Sequence, residues 1–145
     1  MFKGGANLLM DGKGRLTIPA HYRDALVKQQ VTQIVLTRQP NGSLLLFPEP
    51  VWAIKHQQIE AMPSSAEGWK RILLGLAQPL DLDETGRVVV PPALREFAAL
   101  AKDVTLRGFG NYAEIWDKAR CDAREAADMA AEQVEAVANF NLGTV

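Results

Sequence analysis

Apolar residues in this chain come in short runs broken by turn residues. Leu8-Leu9-Met10 and Leu80-Asp81-Leu82 are strand-like and lead into Asp11 and Asp83. The β-branched-rich stretches Leu16-Thr17-Ile18 and Val88-Val89-Val90 predict exit strands. Pro19 and Pro91 close them and suit the first position of a helix. Residues 20–30 and 92–101 then carry Tyr22/Leu26 and Leu94/Phe97 on one helical face each. Strands over 31–38 and 104–107 are expected to pair with 43–47 and 112–116. Asn41-Gly42 and Gly108-Phe109-Gly110-Asn111 supply the turns between them.

Helical periodicity fills the intervals. Residues 50–62 place Val51, Ile54 and Ile59 on a rough 3.6-residue period. Ser64-x-x-Glu67 has the spacing of a capping box that would open a helix through Trp69, Ile72, Leu73 and Leu76. The Ala-rich stretch 117–140 puts Ala130, Val134 and Val137 on one stripe. As a continuous helix it would extend on the order of 36 Å. Trp52, Trp69 and Trp116 sit in apolar contexts and are expected in the core.

The elements repeat. Asp11-Gly-Lys-Gly-Arg-Leu-Thr-Ile-Pro and Asp83-Glu-Thr-Gly-Arg-Val-Val-Val-Pro align at a constant offset. Asp11/Asp83, Gly14/Gly86, Arg15/Arg87, Pro19/Pro91 and Arg23/Arg95 coincide, with aliphatic matches at Leu16/Val88 and Ile18/Val90. Val31-Thr32 and Val104-Thr105 follow the two helical stretches, so the similarity extends beyond the motif. The chain is read as two copies of one module of roughly 45 residues, near the lower limit of independent stability, which favours fusion into one pseudo-symmetric core. Asp suits the first position of a turn and Gly a positive φ. Asp-x-x-Gly-Arg between two strands therefore reads as a hairpin with Gly in a left-handed position.

Composition narrows the function. The 145 residues are 48% hydrophobic and 23% charged, as in a folded protein, and no apolar run is long enough to span a membrane. The first residues lack the apolar core of a signal peptide, and the single Cys121 precludes an intrachain disulfide and suits a reducing cytosol. A formal net charge of -1 argues against a generic nucleic-acid coat, but the average hides a gradient. Residues 1–38 hold Lys3, Lys13, Arg15, Arg23, Lys28 and Arg38 against Asp11 and Asp24. Residues 117–135 hold Asp117, Asp122, Glu125, Asp128, Glu132 and Glu135 against Lys118, Arg120 and Arg124. A basic front can meet a polyanion with one face only.

Candidate chemistry is sparse. His21, His56 and Cys121 stand apart in sequence, without metal-ligand spacing or a local nucleophile–base pair, so neither catalysis nor a metal or cofactor is expected. Gly12-Lys13-Gly14 is too short for a phosphate loop. The Asp-x-x-x-Arg pairs carry the information, and two readings fit them. A salt bridge across the turn would serve stability alone. Alternatively, Asp fixes the arginine fork for a planar acceptor such as guanine O6/N7, while Lys3, Lys13 and Arg23 meet phosphates. Arg23 and Arg95 also have the option of helix-surface ion pairs with Asp24 or Glu96.

Gly-Arg-Leu-Thr-Ile-Pro after an Asp resembles the AbrB/SpoVT class of swapped-hairpin DNA-binding domains. Two copies, together with Met-Phe-x-Gly, Leu44-Leu45-Leu46-Phe47-Pro48 and Arg71-Ile72-Leu73-Leu74-Gly75, resemble the MraZ transcriptional regulators over residues 1 to about 120. The resemblance implies an α+β fold of two tandem, pseudo-symmetric, β-barrel-like swapped-hairpin modules with flanking helices and a C-terminal helix, assembling into a ring. The expected division is 5–50 and 77–120 for the modules, 51–76 for a helical connection and 121–145 for the helix and tail. It further implies a cytoplasmic, nucleoid-associated repressor that binds G-rich direct repeats in double-stranded DNA upstream of its own division and cell-wall promoter. The partners would be DNA and further copies of the chain, with no membrane and no cofactor.

The DNA-binding residues carried over are Asp11, Lys13, Arg15, Lys3, Arg23, Asp83 and Arg87. Glu84 and Thr85 replace the glycine and lysine of the first turn, so the first module is expected to be the main reader. An antitoxin-like or scaffold relative, with the Asp–Arg pairs purely structural, is the alternative.

Overall fold

The computed structural model describes residues 1–132, 135–137 and 140. The first copy runs β1 (Gly5–Leu9), β2 (Arg15–Thr17), α1 (Ala20–Lys28), β3 (Gln33–Arg38), β4 (Leu44–Pro48) and α2 (Glu49–Glu60). A 3-10 turn (Ser64–Ala66) and α3 (Glu67–Gly75) connect it to the second. That copy runs β5 (Gln78–Asp81), β6 (Arg87–Val89), α4 (Pro92–Ala98), β7 (Asp103–Gly108), β8 (Ala113–Asp117) and α5 (Lys118–Ala130). The fold is α+β, with antiparallel sheets and five α-helices among the described residues.

The pairing interleaves the copies. Six strands form one sheet in the order β1-β7-β8-β4-β3-β5, and β2 and β6 form a separate two-stranded ribbon. Each copy therefore donates its first strand to the other's third, Leu8 opposite Val104 and Leu80 opposite Ile34. The centre joins β4 to β8, Leu44 opposite Ile115 and Leu46 opposite Ala113, as a two-fold relation requires. The strands flanking each Asp-x-x-Gly-Arg turn are thus not partners in a ladder, contrary to the local hairpin reading. They diverge because each finds its hydrogen bonds in the other copy, a choice that short-range turn chemistry cannot reveal.

One core serves both copies. Phe2, Leu16, Ile18, Tyr22, Leu26, Ile34, Leu36, Leu44, Leu46, Val88, Val90, Leu94, Leu106 and Ile115 form a single buried cluster. Full burial of such a side chain contributes about 1.5–3 kcal/mol, so neither copy could lose the other's contribution and keep this core. A second cluster, Val35, Leu45, Phe47 and Trp52, lies beneath α2 and includes Val51, Ile59 and Leu74 at its edge. The equivalent face of the second copy is more polar. Glu114 accepts there from Trp116 Nε1 (3.0 Å) and Asn41 Nδ2 (3.2 Å), and Thr105 Oγ1 donates to Asn7 Oδ1 (3.0 Å).

Several local expectations are corrected. The helix α1 has nine residues and α4 seven, so the register drops and Ile34-Val35, not Val31-Thr32, is the equivalent of Val104-Thr105. Ile54 is exposed, because α2 turns Trp52 rather than Ile54 onto the sheet. Trp52 and Trp116 are buried as expected, but Trp69 is 54% exposed. It lies in the first turn of α3, whereas the sheet grips the opposite end. Thr37 Oγ1 donates to Leu73 O (2.6 Å) and Arg38 Nε to Ile72 O (2.9 Å). The Ser64–Glu67 capping box does not form. The serines are absorbed in the 3-10 turn after Pro63, which puts Glu67 at the first position of α3 with no side-chain cap.

The C-terminal helix stops at Ala130, about 20 Å long rather than 36. Beyond Cys121, residues 122–132 are all exposed, so tertiary packing does not extend the helix, and Ala131 (ψ 149°) turns the chain out. Of the expected stripe, Ala130 and Val137 are exposed and Val134 lies outside the described residues.

Candidate nucleic-acid interface

The β2–β6 ribbon has a buried and an exposed face. Leu16 and Val88, opposite one another, point inward and are fully buried. Alternation sends the side chains of Arg15, Thr17, Arg87 and Val89 outward together. Arg15 is opposite Val89 and Arg87 opposite Thr17, so the arginines are diagonal neighbours, about 7–8 Å apart along the backbone.

Each arginine is held from below by its own turn. Asp11 N–H donates to Arg15 O (3.1 Å) and Gly14 N–H to Asp11 O (3.0 Å). Asp11 Oδ1 accepts from the N–H groups of Lys13 and Arg15, both at 2.9 Å, and Oδ2 accepts from Arg15 Nε at 2.5 Å. The second turn repeats this. Asp83 Oδ1 accepts from Thr85 N (2.9 Å) and Arg87 N (2.8 Å), and Oδ2 from Arg87 Nε (2.9 Å). Thr85 Oγ1 adds a bond of 2.8 Å that Lys13 does not make. The substitution of Lys by Thr thus removes a cation from the turn but ties the turn more tightly.

These contacts hold the carboxylates ionised. The Arg15 backbone N–H, and then the Arg15 side chain, lower the Asp11 carboxyl from 3.8 to about 2. The Arg87 backbone N–H, helped by Thr85 and the Arg87 guanidinium, holds Asp83 lower still. Both bonds use Nε. The terminal nitrogens of Arg15 and Arg87 make no hydrogen bond among the described residues, which leaves each fork aimed outward from an anchored stem. Preorganisation of this kind reduces the side-chain entropy lost when a planar acceptor is gripped.

The remaining sequence-predicted residues separate. Lys13 is exposed on the first turn beside Arg15. Lys3 is exposed on another part of the surface, in a groove lined by His21, Asp24 and Lys28 but by no ribbon residue. Arg23 is half-buried and makes no ion pair with Asp24. Its Nε donates to Ile18 O (2.9 Å), and its side chain lies over Gly86 of the other turn. Arg95, which the sequence reading left out of the site, lies over Gly14 in the same way. Its repetition at the same offset as Arg23 was the available signal.

His21 Nε2 lies 3.2 Å from Lys3 O, His56 Nδ1 2.5 Å from Glu60, and Cys121 is a buried residue of α5 itself. Among the described residues no group of three His, Cys, Asp or Glu side chains could hold a metal ion, and no helix is long and apolar enough to cross a membrane.

A family model described as "MraZ protein, putative antitoxin-like" matches residues 1–75 and again 73–140. The chain belongs to the MraZ family. Its two matches correspond to the two interleaved copies. Among its relatives, proteins named Transcriptional regulator MraZ from Acidovorax sp. (strain JS42) and Paraburkholderia xenovorans (strain LB400) are 48% and 46% identical to it over 142 residues. In both cases the alignment covers 98% of this chain and all of the relative. The protein of the same name from Delftia acidovorans (strain DSM 14801 / SPH-1) is 48% identical over 140 residues, 97% of this chain and 99% of its own.

Proposed function

We propose that the chain is a sequence-specific DNA-binding transcriptional regulator that reads base edges with Arg15 and Arg87. The observation that carries this reading is the pair of Asp-anchored arginine forks on the exposed face of one two-stranded ribbon. A β-ribbon fits the major groove, where an arginine fork meets guanine O6 and N7 in bidentate fashion. Asp11 and Asp83 orient the forks and Lys13 beside them supplies charge toward phosphates, with Lys3 and Arg23 adding positive charge from outside the ribbon's exposed face. Family membership and the relatives' names support a regulator.

The finer proposal is a repressor at the chain's own promoter, acting on G-rich direct repeats. Each copy brings few cations, so specific binding is assigned to a ring of copies on a curved, barrel-like sheet core, with modest contacts multiplied by effective concentration. Residues 5–50 and 77–120 are taken as the DNA-facing modules, joined by 51–76 and followed by 121–145. The ring would be cytoplasmic and associated with the nucleoid.

The test is titration of the protein with a duplex carrying its upstream sequence, against a scrambled duplex, at two salt concentrations. Tight, salt-sensitive and sequence-selective binding is the expected result. Equal, weak binding to both duplexes would replace this reading by a scaffold in which the Asp–Arg pairs serve stability alone.

A further inference from the structure

Each Asp-x-x-Gly-Arg turn is covered by an arginine from the opposite copy. A Cβ placed on Gly14 would lie 2.6 Å from Arg95 Cζ, 2.7 Å from Nε and 2.8 Å from Nη1. On Gly86 it would lie 2.6 Å from Arg23 Nε and 2.8 Å from Nη1. Both glycines have φ near +80°, and both are buried although their turns are at the surface. Glycine is therefore required twice at each position, for the backbone and for the guanidinium lying on it.

The covered peptide is also stitched to the other copy. Val90 N donates to Gly14 O, and Ile18 N to Gly86 O, each at 2.9 Å. Gly14 is thus fixed by its own turn through Asp11, by Val90 just past β6 of the second copy, and by Arg95 above it. The next residue is Arg15, so the orientation of the Gly14 peptide sets the direction in which Arg15 leaves the backbone. Gly86 stands in the same relation to Arg87. The two covers are anchored differently. Arg23 Nε donates to Ile18 O, whereas Arg95 Nε is buried without a hydrogen-bond partner among the described residues, so contact with the turn is what holds it.

We propose that Arg95 and Arg23 are positioning residues that act across the module boundary, each guanidinium seating the opposite copy's turn glycine and thereby aiming that turn's arginine. Arg95 of the second copy serves Arg15, and Arg23 of the first serves Arg87. The second copy then matters to the first reader even where Glu84 and Thr85 depart from the first turn. The consequence for DNA rests on the function proposed above; the brace itself does not.

The experiment follows the Nε–H groups of Arg15 and Arg87 by NMR in the full-length protein, with duplex binding measured on the same samples. In Arg95→Ala, exchange of the Arg15 Nε–H speeds by at least about tenfold while that of Arg87 is unchanged, and Arg23→Ala does the reverse. Arg95→Lys keeps the charge and the stem but not the plane, and gives the same selective change as Arg95→Ala. Both Arg95 variants bind the duplex more weakly. Signals of Arg15 and Arg87 that move together, or that both stay fixed, would overturn the brace. Should Arg95→Ala fail to fold, the same pair of signals in Arg95→Lys decides. A wild-type protein that does not select its duplex would sink the DNA reading while leaving the exchange comparison intact.

Discussion

Arg15 and Arg87 share the outer face of the β2–β6 ribbon, Arg15 across from Val89 and Arg87 across from Thr17. Their partners Asp11 and Asp83 are about as exposed as they are, so neither ion pair lies in a dry interior where its removal would unfold the protein. Arg15→Ala is expected to leave the melting temperature nearly unchanged and to remove sequence selectivity. A lost bidentate guanine contact amounts to about 1–3 kcal/mol of discrimination per site. Arg15→Lys retains the charge without the fork and should retain salt-sensitive binding while losing selectivity. Arg87→Ala is expected to act in the same direction. Competition binding with matched and scrambled duplexes, alongside thermal melts, checks all three. A collapse of the melting temperature in Arg15→Ala would assign the pair to stability instead.

Acid should expose the role of the aspartates. Asp11 titrates at about 2 in the folded chain against an ordinary 3.8. A depressed carboxyl adds stability that is fully present above its unfolded value and is lost as pH falls through its folded value. The Asp11 contribution therefore disappears between about pH 4 and pH 2, and that of Asp83, which lies lower, continues to disappear below that. Melting temperature measured down this range should fall, and Asp11→Asn/Asp83→Asn should flatten the decline. An unchanged slope in the double variant would show that other carboxylates set the acid limit.

The repeat made most of the fold legible. Once Asp11/Asp83 and Arg15/Arg87 were aligned, the strands, the helices after Pro19 and Pro91, and the turns at Asn41-Gly42 and Gly108–Asn111 followed from local patterns, and they stand close to the expected positions. The placement of the turn arginines beside their aspartates was equally local. Pairing between copies was not. Leu8 opposite Val104 and Leu16 opposite Val88 depend on which strand closes the core, and only the swapped-hairpin resemblance pointed there. Trp69 and Ile54 misled because an apolar period does not reveal which face has a neighbour. Arg95 is marked by the repeat, but its contact with Gly14 is not legible, because a glycine from the far half of the chain leaves no charge pattern to find.

Leu16 tests how far the two copies depend on one another. It is fully buried opposite Val88 at the middle of the ribbon and belongs to the core built from both halves. Leu16→Ala should cost about 2–5 kcal/mol. Because one cluster serves both copies, unfolding should remain a single transition, shifted as a whole. Denaturant titration followed by Trp fluorescence and by circular dichroism checks this, since Trp52 and Trp116 report on different copies. Two separated transitions would show that the modules fold independently.

The seat of α5 rests on one side-chain pair. Arg107 on β7 holds Glu125 through two parallel bonds, Nε–Oε2 at 2.8 Å and Nη2–Oε1 at 3.0 Å. The pair lies beside Cys121, the one buried side chain of this helix, whose thiol is pushed up chiefly by burial. With a single buried anchor, α5 should open by itself more readily than the sheet beneath it. Glu125→Ala removes the clamp and should speed labelling of Cys121 by a thiol reagent several-fold, with the global melting temperature little changed. Asp128→Ala is the control. It breaks the Arg124–Asp128 pair at the exposed end of the same helix, and it should leave the labelling rate as it was. Equal acceleration in both variants would mean that helix propensity, rather than the Arg107–Glu125 contact, keeps α5 in place.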